Sequence, residues 1–264
     1  MKTLLTLLIL AAIGYGIYHF PAKPAEILIN TTATPTATGI DERDAFVRAP
    51  TDAGTSVESV TELESDVPLT PSVTISVTHT AQAPDGNWKD MRLLNASQEA
   101  SLVMTVHWLY GRPLTSVQAL KEIRDADEFI QAAFNGATQL SLDDLARTFR
   151  GHAGYADVAV ASGNMNEDIK KALAAGSIVI VPVSSKALNN QYYLPTLPDQ
   201  HAVLVRGYDD SKKQFIVNDP GTRRGDGYRY GYDIFQHALR TYGTGTAGWP
   251  SETNTGMLII HPRT

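Results

Sequence analysis

The order of apolar and polar positions predicts several helices in the first half of residues 71–264. Apolar side chains recur at helical spacing over residues 97–110, a stretch that opens with Ser97 and is stopped by Gly111 and Pro113. Five more stretches share this periodicity or begin with a capping residue: residues 115–123, 127–134, 141–151, 166–176 and 232–242. All but the last precede the main strand-forming region.

Strand-forming patterns dominate the second half. The run SIVIVPVS, residues 177–184, is continuously apolar and largely β-branched, which is typical of a strand buried on both faces. Residues 201–209 and 213–219 flank a polar turn and predict a β-hairpin. Shorter strands are predicted at residues 73–77 and 256–262. Helices followed by strands indicate the α+β fold class rather than an alternating doubly wound sheet.

The N-terminal part differs from this domain. Residues 1–20 contain Lys2 and then a long apolar run, so we expect a membrane anchor or a signal peptide. The bulky end of that run favours the anchor, and Lys2 in front of it predicts a domain outside the cytoplasm, in the cell envelope or secreted. Residues 21–70 are rich in Thr, Pro and acidic side chains and predict a disordered stalk. Residues 71–264 then form one domain.

Net charge and the absence of cysteine narrow the possible functions. The chain of 264 residues has a formal net charge of −6, whereas binding nucleic acid requires clustered Lys and Arg. No nucleic-acid partner is therefore predicted. No cysteine is present, which excludes a disulfide, a thiolate zinc site and a cysteine nucleophile. The seven histidines include no His-x-x-x-His pair, so neither a metal site nor a cofactor is predicted.

The predicted hairpin brings two candidate catalytic side chains together. His201 begins one strand and Asp219 ends the other, so antiparallel pairing makes them neighbours at the open end of the hairpin. A carboxylate beside an imidazole fixes its tautomer and stabilises its charged form. The alternative is that His201 is a polar strand end and Asp219 part of a turn. The preceding loop, residues 184–200, carries Tyr192 and Tyr193 and could line a peptide groove.

Three separated motifs resemble one known family. AQAPDGNWKDMRLLNASQEASLVM, HAVLVRGYDD and FIVNDPGT together resemble family thirty-nine of the papain-like cysteine peptidases, over about residues 77–242. The resemblance implies a papain-like fold, peptide-bond hydrolysis and a peptide or protein substrate. It implies that His201 is the general base, that Asp219 orients it, and that Gln82 is the oxyanion-hole glutamine. Ser97 stands where the family has its nucleophilic cysteine.

Three accounts of Ser97 follow from this departure. Ser97 could be only a helix N-cap, worth about 1 kcal/mol, in an inactive domain that still binds peptides. It could act as a serine nucleophile with His201 and Asp219. It could also have been introduced in place of a natural cysteine to trap an inactive form. Hydrolysis is expected to be impaired or lost because an alcohol, unlike a thiol, does not ionise near neutral pH. Glu99 is expected to support the helix start rather than the chemistry.

Overall fold

The computed structural model describes residues 69–245 and 255–263. The predicted anchor, residues 1–20, and all but the last two residues of the predicted stalk lie outside this part of the chain. No helix among the described residues is long and apolar enough to cross a membrane.

The helices largely follow the predicted positions. Within the described residues they are α1 (Met91–Leu94), α2 (Ser97–Leu109), α3 (Ser116–Ala133), α4 (Leu142–Gly151), α5 (Met165–Ala174), α6 (Ser185–Leu188) and α7 (Tyr232–Ala238). The expected break after residue 123 is wrong, because α3 is one continuous helix. No Gly or Pro interrupts it, Ile123, Ala126 and Ile130 are buried on one face, and a Thr115–Gln118 capping box fixes its start.

Seven described strands form a single antiparallel sheet. They are β1 (Ser72–Thr74), β2 (Val158–Ser162), β3 (Ile178–Ser184), β4 (Gln200–Asp209), β5 (Gln214–Asn218), β6 (Tyr228–Gly231) and β7 (Gly256–Ile260). Their order is β2-β7-β3-β4-β5-β6, with β1 pairing with β4. The predicted hairpin is β4 and β5. The strand expected at residues 73–77 ends already at Thr74, and β2 and β6 were not anticipated. The helices and this sheet confirm the α+β class.

Apolar side chains are buried on both faces of the central strands. On β3, Ile178 and Ile180 pack with α2, α3 and α4, whereas Val179 and Val181 pack with α5 and α7 on the other face. Because side chains alternate along a strand, a central strand covered on both faces has to be apolar throughout. This explains the uninterrupted run in residues 177–184.

Helix α2 is buried on nearly all sides, and two of the side chains in its first turn form hydrogen bonds with the backbone of other segments. Gln98 binds both backbone groups of Leu140, with its Nε2 donating to the carbonyl and its Oε1 accepting from the N–H, each at 2.9 Å. Ser97, the first residue of α2, contacts the backbone of β4. The first turn of α2 therefore lies against the strand that carries the predicted base, His201.

Candidate active site

His201 and Asp219 lie within hydrogen-bonding distance, as the predicted hairpin requires. Nε2 of His201 is 2.9 Å from Oδ1 of Asp219, and both side chains are buried. The last paired residues of β4 and β5 are Leu204 and Asn218. Asp219 therefore follows directly on the paired part of β5 and turns its carboxylate towards His201. The catalytic roles of the two residues remain predictions.

The carboxylate of Asp219 is held by further donors. Its Oδ2 accepts hydrogen bonds from the hydroxyls of Tyr193, at 2.6 Å, and Tyr230, at 2.5 Å. Its Oδ1 also accepts from the backbone N–H of Gly221 at 2.9 Å. Burial by itself raises the pKa of Asp219, but the hydrogen bond and charge of His201 and the tyrosine hydroxyls outweigh it and lower the pKa to about 2.

An ionised Asp219 fixes the tautomer of His201. A carboxylate only accepts hydrogen bonds, so Nε2 of His201 has to carry the proton that it shares with Asp219. In the neutral ring, Nδ1 is then the nitrogen with a free lone pair. Burial and the charge of Asp219 raise the pKa of Tyr193 and of Tyr230, so both hydroxyls keep their protons and remain donors. The pair can accept a proton at Nδ1.

Sequence reasoning did not assign the two tyrosines to this site. Tyr193 was expected to line a peptide groove together with Tyr192, but its hydroxyl instead binds Asp219. Tyr230 lies on β6, which was not predicted, and its hydroxyl also accepts from Nδ2 of Asn190 at 2.7 Å. The alternation of YRYG was the available signal, because it places Tyr228 and Tyr230 on one face of a strand.

Ser97 is not an N-cap, so that account of its hydroxyl is wrong. The N-cap of α2 is Ala96, Ser97 is the first helical residue, and no side chain caps this end. The buried Ser97 Oγ instead accepts the backbone N–H of Ala202 at 3.1 Å. Within the described part of the chain, Ser97 and His201 share no hydrogen bond.

The N–H of Ala202 is available because of the strand pairing. Ala202 lies opposite Pro182 of β3, and the Pro182 carbonyl accepts instead from the N–H of Arg240 at 3.0 Å. Proline has no N–H, so this pair exchanges no hydrogen bonds, and the backbone groups of Ala202 face the side of β5. The β4–β5 pairing ends at Leu204. The Ser97 hydroxyl thus occupies the place of a missing strand partner.

Gln82 lies between the start of α2 and the turn after Asp219. Its Nε2 donates to the Leu94 carbonyl at 2.6 Å, and its backbone N–H donates to the Pro220 carbonyl at 2.9 Å. Among the described residues, its buried Oε1 has no hydrogen-bond partner. A side-chain amide carries two N–H groups, and the bond to Leu94 uses one of them. The predicted oxyanion role of Gln82 remains a prediction.

Glu99 is a buried carboxyl in the first turn of α2. Burial, and to a smaller extent the charge of Asp127, raise the pKa of Glu99 to about 8 against the lowering effect of a backbone hydrogen bond. Its Oε2 has no hydrogen-bond partner among the described residues. Glu99 is therefore protonated at neutral pH and does not act as an anion at the helix N-terminus.

Two cavities lie beside these residues and share one side chain. A cavity of about 190 Å³ is lined by residues from three loops: Trp88, Tyr192, Leu194, Gly221, Thr222, Arg223 and Arg224. A second cavity of about 400 Å³ lies along the segment that carries Gln82 and also includes Arg223. Within residues 69–245 and 255–263, no cluster of three His, Asp or Glu side chains could hold a metal ion.

Comparison with known proteins identifies the family to which the chain belongs. A model described as the peptidase C39-like family matches residues 74–246. No curated protein matches the chain. One solved structure, described as a C39-like peptidase from Bacillus anthracis, is 11% identical with a TM-score of 0.46, covering 73% of this chain and 99% of its own. Another, the cysteine protease xylellain from Xylella fastidiosa, is 14% identical with a TM-score of 0.33, covering 74% and 88%. The family match spans most of the domain, and the chain belongs to the peptidase C39-like family.

Proposed function

We propose that this domain binds peptides beside His201 and Asp219 and that its hydrolysis of peptide bonds is impaired or lost. The observation that carries this proposal is the hydrogen bond between Ser97 Oγ and the N–H of Ala202. The oxygen that would have to attack a substrate uses one of its two lone pairs in this bond, which holds the side chain against β4. The hydrogen bond between His201 and Asp219 is nevertheless in place, which supports descent from a hydrolase.

The chemistry of an alcohol argues in the same direction. A papain-like site works with a thiolate, which is already ionised and favoured by the helix N-terminus. We propose that Ser97 replaces that nucleophile. A serine hydroxyl stays neutral and has to lose its proton to the base during attack. Losing even three powers of ten in rate corresponds to only about 4 kcal/mol of barrier, so such a change leaves the fold intact.

A serine-nucleophile amide hydrolase is the second candidate, favoured by the buried, ionised Asp219 behind His201. In that reaction Ser97 Oγ first leaves Ala202 and bonds to the substrate carbonyl carbon while its proton passes to Nδ1 of His201. The amide nitrogen then leaves with that proton, and water hydrolyses the resulting ester to a carboxylic acid and free Ser97. The Ser97 N–H, unpaired within the helix, and the Gln82 amide would hold the oxyanion.

Peptide hydrolysis by matched variants tests these candidates. A defined mixture of synthetic peptides is incubated with the unaltered chain, with Ser97→Cys, and with Ser97→Cys combined with His201→Ala, and products are identified by mass spectrometry. We expect cleavage by Ser97→Cys at least a thousandfold faster than by the unaltered chain, and none by the double variant. Covalent labelling of Ser97 by a fluorophosphonate would instead support the serine hydrolase.

Peptide binding by the unaltered chain tests the remaining part of the proposal. The same peptides, labelled with a fluorophore, are titrated with the full-length chain and followed by fluorescence anisotropy. If none binds and Ser97→Cys is also inactive, the proposed function is refuted.

We also propose an extracytoplasmic location, with attachment to the membrane through residues 1–20. The support is the apolar run after Lys2 and the acidic, Thr- and Pro-rich segment that follows it. Protease treatment of intact cells tests this. We expect the domain to be digested from outside while a cytoplasmic protein is protected.

A further inference from the structure

The smaller cavity adjoins the candidate catalytic pair through Gly221. A Cβ atom added to Gly221 would lie only 3.1 Å from Cε1 of His201 and 2.8 Å from Cε1 of Tyr193. Gly221 also lines the cavity. Gly221 therefore separates this cavity from the buried imidazole, and a ligand in the cavity would contact the backbone of Gly221 within one residue's width of the candidate pair.

The walls of the cavity combine apolar surface with positive charge. Tyr192 and Leu194 are exposed large apolar side chains, and Trp88 lines the same cavity. Arg224 stacks on Tyr192, with its guanidinium carbon 4.7 Å from the ring centroid. This stacking holds a cation against an apolar face without neutralising it.

The two arginines of the cavity differ from other arginines of the domain in their acidic partners. Arg206 and Arg229, elsewhere in the sheet, pair with Asp226 and Asp209. Within the part of the chain that the structure describes, Arg223 and Arg224 form no such salt bridge, although the chain as a whole carries a net charge of −6. Both are exposed.

Arg223 extends this charge towards the Gln82 segment. A Cβ atom on Gly86 would lie 2.1 Å from Nη2 of Arg223, so the guanidinium rests against that backbone. Arg223 consequently lines both cavities. Two fixed guanidinium groups beside an apolar wall match a carboxylate next to an apolar side chain, because guanidinium groups bind carboxylates through paired N–H donors.

We propose that Arg223 and Arg224, with Trp88, Tyr192 and Leu194, form a subsite for an acidic side chain that neighbours an apolar one in a bound peptide. This inference rests on the proposed function, since it names the class of peptide that the site selects. Acidic peptides without an apolar neighbour, and apolar peptides without the acid, each use only half of the subsite.

Paired peptides that differ in one carboxylate test the subsite. Two fluorescein-labelled peptides with amidated C-termini share the sequence Gly-Ala-Phe-X-Ala-Gly-Ala, with X either Glu or Gln, and are titrated with the full-length chain in an anisotropy assay. We expect the Glu peptide to bind about tenfold more tightly at low ionic strength. Raising the salt concentration should reduce this preference, because exposed charges are screened.

Variants that lose positive charge inside or outside the cavity identify the residues responsible. Combining Arg223→Gln with Arg224→Gln should abolish the preference for Glu, so that the Glu and Gln peptides bind with equal affinity. Arg229→Gln, at an exposed arginine on β6 outside the cavity, should retain the preference.

The possible outcomes separate the two proposals. Equal affinity for the Glu and Gln peptides in the unaltered chain overturns the subsite while leaving peptide binding in place. Loss of the preference in Arg229→Gln to the same extent as in the double variant would also overturn it, because a general charge effect would then suffice. Binding of neither peptide overturns the subsite together with the proposed function.

Discussion

Replacing Glu99 by Gln should change how stability depends on pH. Burial raises the pKa of Glu99 from 4.5 to about 8, so between these values the folded chain keeps a proton that the unfolded chain has lost. Stability contributed by this group therefore falls as pH rises through that window. Gln is neutral at every pH and of similar shape, so Glu99→Gln removes this dependence.

The magnitude follows from proton linkage. One proton bound only by the folded state changes the free energy of unfolding by about 1.4 kcal/mol per pH unit. Between pH 5 and pH 8 the unaltered chain should therefore lose up to about 4 kcal/mol relative to Glu99→Gln. Half-buried His79 and His152, whose pKa values are lowered by desolvation, act in the opposite direction. They are present in both proteins and cancel in the difference.

Urea unfolding at several pH values, followed by tryptophan fluorescence, measures this difference. The amide of Gln carries N–H donors that Glu lacks, and any free energy that burying them costs is constant. Such a cost shifts the difference in free energy of unfolding between the two proteins equally at every pH and does not change its slope. Glu128→Gln, at a carboxyl whose side chain is 70% exposed, is the matched control and should follow the unaltered chain. A flat difference between Glu99→Gln and the unaltered chain from pH 5 to pH 8 would refute the reasoning.

Three further predictions concern the candidate site. Ser97→Ala leaves the buried N–H of Ala202 without an acceptor and should lower the free energy of unfolding by about 1–3 kcal/mol. Thermal melting detects such a loss, and an unchanged melting temperature would exclude the described hydrogen bond. Gly221→Ala forces a methyl group against the ring of His201 and should shift the NMR signals of that imidazole; unchanged signals would contradict the packing. Tyr230→Phe removes a donor to Asp219, whose lowered pKa contributes stability above about pH 4 that is lost towards pH 2. The variant should therefore be less stable by about 1–2 kcal/mol at pH 6, with the difference shrinking by pH 2 in urea titrations, and a constant difference would argue against a role through ionisation.

The periodicity of short sequence stretches predicted those features of the site that are formed by residues close together in the chain. The contact between His201 and Asp219 follows from two strands joined by a short turn, because such a turn fixes which strand ends meet. The helix start at Ser97 follows from the apolar spacing of residues 97–110. Both features depend on fewer than about 20 consecutive residues, the range over which periodicity carries information.

Contacts between distant segments escaped prediction for a physical reason. The partner of Ser97 depends on how β4 pairs with its neighbours and on where β5 ends, and neither is encoded near residue 97. The same holds for Tyr230, which reaches Asp219 only because β6 pairs with β5. Short, partly exposed strands give weak periodic signals, so their tertiary contacts cannot be foreseen.

The turn after β5 has a consequence for how mutations at the site combine. Continuing the pairing of Leu204 with Asn218 would place Pro220 opposite Ala202, but the Pro220 carbonyl accepts instead from Gln82. The bend after β5 places the carboxylate of Asp219 beside His201. The same bend leaves Ala202 of β4 without a backbone partner from β5. Position 97 and the turn are then thermodynamically coupled, so substitutions at the two places should be strongly non-additive in a double-mutant cycle. Introducing a more reactive side chain at position 97 therefore also alters the contact that replaces the missing strand partner of Ala202.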